Sequence, residues 1–173
     1  MDLETVIIGL LSVALFVVPI MFVQRKQKAK RLKLLQEFIG LAGQRQVNID
    51  LHDSWDPYYT IGIDTVKKKL FYTLRNEGQE QQSFVDLAEV GACSVKNSNR
   101  DQNGEKIIDR IDLVLSSRNA RQADRVLEFY NREVSLNFNN ELMRAEKWKS
   151  IISSNLMATP TQNPTAPTYA EKH

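Results

Sequence analysis

Val47-Asn48-Ile49-Asp50-Leu51-His52 alternates apolar and polar residues one by one, which is the two-residue period of a half-buried strand. The stretch before it keeps a different period. Leu34, Leu35, Phe38, Ile39 and Ala42 recur at the three- and four-residue spacing of one helix face, and Gly40 and Gly43 mark where that helix should weaken. The switch near residue 46 therefore divides a helical N-terminal part from a β-rich body and predicts an α+β chain.

Working toward the C-terminus, residues 58–63 and 70–75 are rich in aromatic and β-branched side chains and flank Asp64-Thr65-Val66-Lys67, the expected turn of a hairpin. Asn76-Glu77-Gly78 marks the next reversal. Residues 83–87 and 92–95 read as strands with Gly91 as a bend or bulge between them, and residues 97–104 as a polar loop. Ile111, Leu113 and Leu115 alternate with Asp112, Val114 and Ser116. Residues 125–130 follow as a strand, then a short alternation of Val134, Leu136 and Phe138. A helix should start near Asn139 or Asn140, place Leu142, Ala145, Trp148, Ile152 and Leu156 on one face, and end by Met157. Residues 158–173 hold three prolines and no apolar period, and are expected to be a disordered tail.

Working toward the N-terminus, residues 6–23 form an apolar run followed by the acid-free block Arg25, Lys26, Lys28, Lys30, Arg31 and Lys33. Eighteen helical residues span about 27 Å, close to the hydrocarbon thickness of a bilayer. The flanks, Met1-Asp2-Leu3-Glu4 before and Met21-Phe22-Val23-Gln24 after, lack the charge order and small residues of a cleaved signal. The expectation is a single-pass cell-membrane anchor over residues 1–24, with the N-terminus outside and the rest in the cytoplasm because cations stay on the cytoplasmic side. Residues 25–45 form the basic stop and juxtamembrane helix, and the six cations also meet anionic lipid headgroups nonspecifically. Pro19 within the run predicts at most a kink.

The body over residues 46–157 is large enough for one hydrophobic core. Six of the 23 Lys and Arg lie between Arg25 and Lys33 and two of the 21 acids lie in the N-terminal stretch, leaving 17 cations against 19 anions over residues 34–173. The body is thus slightly acidic, which argues against nucleic-acid binding. A single cysteine, Cys93, excludes an intramolecular disulfide and a cysteine-based zinc site.

About seven antiparallel strands closed by a C-terminal amphipathic helix, with Trp148 in Glu146-Lys147-Trp148-Lys149, resemble the pleckstrin-homology-like superfold. That likeness implies a β-barrel or strongly bent sheet plugged at one end by the helix. The wider layout of anchor, basic stop, Gly62-Ile63-Asp64 hairpin and Phe84-Val85-Asp86-Leu87 also looks like single-pass membrane proteins of Bacteroidota-type bacteria, a likeness that implies no activity.

Each polar cluster in the body has a functional and a bland reading. Lys67-Lys68-Lys69 with Arg75 fit a headgroup-binding hairpin loosely, and a solvated hairpin edge more simply. His52-Asp53-Ser54-Trp55-Asp56-Pro57 gathers three potential ligands in five residues, but lacks a completing set elsewhere, so a turn with a packed Trp55 is the simpler reading. Asp109, Arg110, Asp112, Arg132 and Glu133 read as a solvated, charge-alternating face. Cys93 reads as a small buried side chain. No phosphate-cradling glycine loop and no acid/base constellation is legible. The expectation is a non-enzymatic, membrane-tethered binding or scaffold domain for a protein or peptide, with no cofactor and no metal. The alternatives are an anionic-lipid-sensing domain and a metal-dependent enzyme at residues 52–56.

Overall fold

The computed structural model describes residues 3–56, 58–76, 78–102, 104–136 and 138–156, with helix α1 (Leu3–Gln44), strands β1 (Leu51–Trp55), β2 (Tyr59–Asp64), β3 (Lys69–Asn76), β4 (Gln79–Asp86), β5 (Val90–Gln102), β6 (Glu105–Ser117) and β7 (Arg125–Asn131), and helix α2 (Glu141–Asn155). The chain is α+β, as its two periods predict. Its strands make two antiparallel sheets, β1-β2-β3-β4 and β5-β6-β7. The barrel expectation is corrected accordingly: among the described residues no closed barrel forms. A 3-10 turn at Leu87–Glu89, capped by Asp86 Oδ1 accepting from the Ala88 amide at 2.9 Å, separates β4 from β5 along the chain and ends the first run of hairpins. By contact density the chain divides into two compact units, the boundary falling between Val85 and Asp86.

In the first unit α1 runs through Gly40 and Gly43 without breaking. It ends at Gln44, and Gln46 then takes a left-handed φ of 58°. The Val47 amide donates to the Ala42 carbonyl at 3.0 Å and the Gln46 amide to the Gly43 carbonyl at 2.9 Å, closing the helix by the paired bonds of a Schellman motif. Ala42 and Val47, the two residues this closure brings together, are buried in one cluster with Phe38 and Phe71. Phe38 stacks on Phe71 at a 4.6 Å centroid distance, Phe71 on Phe84 at 4.0 Å, and the Arg45 guanidinium lies 4.6 Å from the Phe84 ring centre. Offset ring stacking with a cation on its outer face is favourable beyond burial alone. The C-terminal part of α1 thus supplies core side chains to the sheet.

Residues 47–50 are not the expected strand, which begins at Leu51 instead. Their alternation is still used: Val47 is buried and Ile49 packs against the same cluster. Their backbone bonds differently. The Asn48 amide donates to Asp64 Oδ2 at 2.9 Å and the Asp50 amide to the Ile63 carbonyl at 3.1 Å. The expected turn after β2 is present, with Asp64 Oδ1 accepting from the Val66 and Lys67 amides.

In the second unit Ile111, Leu113 and Leu115 of β6 are buried, as their alternation predicts, and α2 buries Ala145, Trp148 and Ile152 while packing on β5, β6 and β7. Gly91 sits at a register shift between Val90 and Ala92, the expected bulge. Of the polar loop expected at residues 97–104, residues 97–102 are instead strand: β5 pairs with β6 out to Gln102 and Glu105, and Gly104 takes φ 82° just before β6. Asn-Gly is a strong two-residue hairpin signal that outweighs the polarity of the flanking residues. Val134, Leu136 and Phe138 form no strand; Leu136 is 80 % exposed.

The helix backbone from Leu3 carries the 6–23 run, but apart from Leu15 and Val17, both exposed, the side chains of that run lie outside the described residues, as does the tail over 157–173. Among the described residues no helix is long and apolar enough to cross a membrane.

Candidate functional site

Two open clefts of about 480 and 510 Å³ adjoin on the second unit, sharing Arg132 and Leu136. They exist because β7 is shorter than β6. β7 pairs with β6 only from Arg110 to Leu115, and one further backbone bond, from the Arg132 amide to the Asp109 carbonyl at 2.9 Å, ends the ladder. The chain then turns away, the Val134 and Ser135 amides both donating to the Asn131 carbonyl at 3.0 Å. Residues 105–108 of β6 remain paired with β5 on one side. On the other side no described strand covers them.

One cleft lies along this open edge and is lined by Lys106, Ile107, Ile108, Tyr130, Leu136 and Phe138 in addition to Arg132. Phe138 meets Tyr130 edge-on at 5.2 Å and is 44 % exposed. The apolar floor is thus built by β6, by the end of β7 and by the segment returning toward α2. The other cleft is polar, lined by Arg100, Asp109, Arg110, Asn131 and Glu133 with the shared pair. Arg110 is already committed, to Asp112 at 2.8 Å and Glu128 at 3.3 Å, partners the cross-strand register places opposite each other. Asp109 Oδ1 lies 3.3 Å from Arg100 Nε and 4.0 Å from Arg132 Nη1. Arg132 Nη1 is buried and has no hydrogen-bond acceptor among the described residues. The charge-alternating residues therefore do more than solvate a face, since they gather around one recess.

The other sequence candidates disperse. His52-Asp53-Ser54-Trp55 is strand β1, not a turn, so successive side chains leave on opposite faces. His52 and Ser54 are exposed, with the Ser54 hydroxyl 3.2 Å from Thr60 Oγ1, while Trp55 is buried and stacks on Tyr59 at 5.3 Å. Asp56 follows in a turn at φ 44°, and Pro57 lies outside the described residues. Among the described residues no three His, Cys, Asp or Glu side chains are grouped to hold a metal ion. Lys67 reaches back to the Gln46 carbonyl at 2.5 Å, and Arg75 bridges Glu37 at 3.0 Å and Glu80 at 2.8 Å. Both are thus engaged within the first unit, Arg75 tying α1 to its sheet. Burial pushes the Cys93 thiol up to about 12, with Lys149 of α2 offsetting only part of that shift. Arg25, Lys26, Lys28, Lys30, Arg31 and Lys33 lie on α1. At 100° per residue they surround the helix as a collar instead of lining one face.

What sequence reading missed was the open edge. Its signal was the apolar pair Ile107-Ile108 set in a polar stretch, whose partner strand stops short. Comparison with family models, with curated proteins and with solved structures finds no match for this chain.

Proposed function

We propose that this chain is a non-enzymatic, membrane-tethered domain that binds a protein partner by accepting an extended segment of it as an added strand along residues 105–108. The observation that carries the reading is the uncovered β6 edge beside an apolar cleft. In strand addition the main chain supplies hydrogen bonds and alternate side chains fill pockets. Ile107, Ile108, Tyr130, Leu136 and Phe138 offer such a floor. Natural sheets guard exposed edges with charge or brevity. The outer strand β5 follows that rule with Lys96, Arg100 and Asp101 exposed, and β1 is five residues long. The open β6 edge carries Glu105 and Lys106 exposed at its start, while Ile107 and Ile108 beside them are only partly covered.

The tether is the 6–23 run, held with the N-terminus outside and the body in the cytoplasm by the six-cation collar. The order of seven strands and a terminal helix keeps the element sequence of the pleckstrin-homology-like superfold without its closed barrel, and a fold likeness fixes no ligand.

Site-specific photocrosslinking of the full chain in its native membrane tests the reading. A photoreactive residue at position 108 should yield one recurrent protein adduct, crosslinked through an extended segment, and the same residue at exposed Val126 of β7 should not. Adducts at both positions alike, or none at position 108, would remove the basis of the proposal. Replacing all six collar cations with glutamine should scramble orientation, read by protease accessibility from either side. An unchanged orientation would sink the topology.

A further inference from the structure

Resting on that reading, we infer that the added strand is acidic: it carries an Asp or Glu side chain that the Arg132 guanidinium receives where the two clefts meet. Arg132 lines both recesses and stands at the point where the β6–β7 ladder stops. Its nearest ion-pair partner among the described residues is Asp109 at 4.0 Å, which is beyond hydrogen-bond distance. Asp109 Oδ1 is drawn toward Arg100 instead, at 3.3 Å. Two guanidiniums thus share one carboxylate, and the Arg132 Nη1 donors are the ones left without an acceptor among the described residues. Arg110 does not alter this, since Asp112 and Glu128 already face it. On the remaining side of the recess Glu133 is exposed and makes no ion pair with Arg132 among the described residues.

A planar guanidinium with unused donors is the group best matched to a carboxylate, which it grips through two parallel bonds. Leaving such donors without an acceptor in a partly desolvated recess is costly. A carboxylate arriving on the added strand completes that set. The apolar floor and the guanidinium together specify a segment with alternating apolar residues and an acid at the end that reaches Arg132. The acid is a side chain within the segment rather than the partner's terminal carboxylate, because the clefts are continuous and open, and a strand can run on past Arg132.

The test uses the full chain in detergent micelles and a pool of blocked octapeptides with alternating Val, Ile and Thr, in which one end position is Glu, or Gln of the same shape. Glu members should bind about tenfold more tightly than their Gln twins, the difference one charge-assisted bond makes. Arg132→Gln should abolish that preference, so that Glu and Gln members bind alike. Arg121→Gln, in the exposed loop before β7, should leave both unchanged. Equal binding of Glu and Gln members, a preference that survives Arg132→Gln, or a preference for peptides with a free C-terminal carboxylate over those with the internal acid would each overturn the acidic-segment inference while the strand-edge reading stands. If no member binds better than its proline-interrupted control, the strand-edge reading falls with it.

Discussion

The Arg132 amide donates to the Asp109 carbonyl at 2.9 Å, and this bond is the last rung joining the end of β7 to β6. Both the open edge and the recess originate at that rung. The chain turns back through Asn131, residues 105–108 of β6 lose their neighbour on that side, and the side chains of Asp109 and Arg132 stand 4.0 Å apart over a recess.

Gly62 is required by proximity. A Cβ there would lie 2.8 Å from Ile49 Cγ2 and 3.0 Å from Phe38 Cε1, the ring that stacks on Phe71. Gly62→Ala should destabilise the first unit by ~1–3 kcal/mol, the usual range for overpacking, seen as a lower urea midpoint. An unchanged midpoint would mean that α1 does not press against β2 at this point.

Gln46 pays for its place in the Schellman closure, since a left-handed backbone costs a residue with a Cβ about 1 kcal/mol relative to glycine. Gln46→Gly should therefore raise stability by ~0.5–1 kcal/mol, despite the greater freedom glycine gives the unfolded chain. A loss of stability would contradict the closure.

Asp64 ties the residues before β1 to the turn after β2. Burial by itself would raise its carboxyl, but the Lys67, Asn48 and Val66 amides outweigh that and hold it below the usual carboxylate range. For Asp50 too, burial raises and the Thr65 hydroxyl and amide more than compensate. A depressed carboxyl contributes stability that is full above its unfolded value of about 3.9 and is lost as pH falls through the lower folded value. Asp64→Asn should cost ~1–3 kcal/mol at neutral pH, and the gap to the native sequence should narrow between about pH 4 and pH 2. A gap independent of pH would show that the ionised form is not what the amides hold.

Cys93 is the counterexample to a reactive thiol. With its thiol at about 12, alkylation by iodoacetamide at pH 8 should run at least ~100-fold slower in the folded protein than in urea. Equal rates would place Cys93 outside the packing between β5 and α2.

Where local pattern and pairing agree, the sequence was readable. β2 and β3 around Asp64, the buried alternation of Ile111, Leu113 and Leu115, the bulge at Gly91 and the face of α2 with Trp148 all lie where periodicity and turn chemistry place them. It failed where the partner decides the conformation. Residues 96–102 are polar throughout and became strand because β6, which follows an Asn-Gly pair in the sequence, offers them a ladder. Residues 47–50 alternate cleanly yet lie outside the ladder, because Asp64 takes the Asn48 amide. The recess obeys the same logic. Asp109 and Arg132 are far apart in sequence, and only the early end of β7 reveals that they share it.

The most direct test of the central claim is residue-resolved amide hydrogen exchange on the full chain, with and without saturating amounts of the tightest octapeptide from the pool. Binding should slow exchange at least ~10-fold within residues 105–108 and leave β2 unchanged, as expected when a free edge gains a strand. Binding without protection there, or protection at the edge of β1 instead, would contradict strand addition at β6.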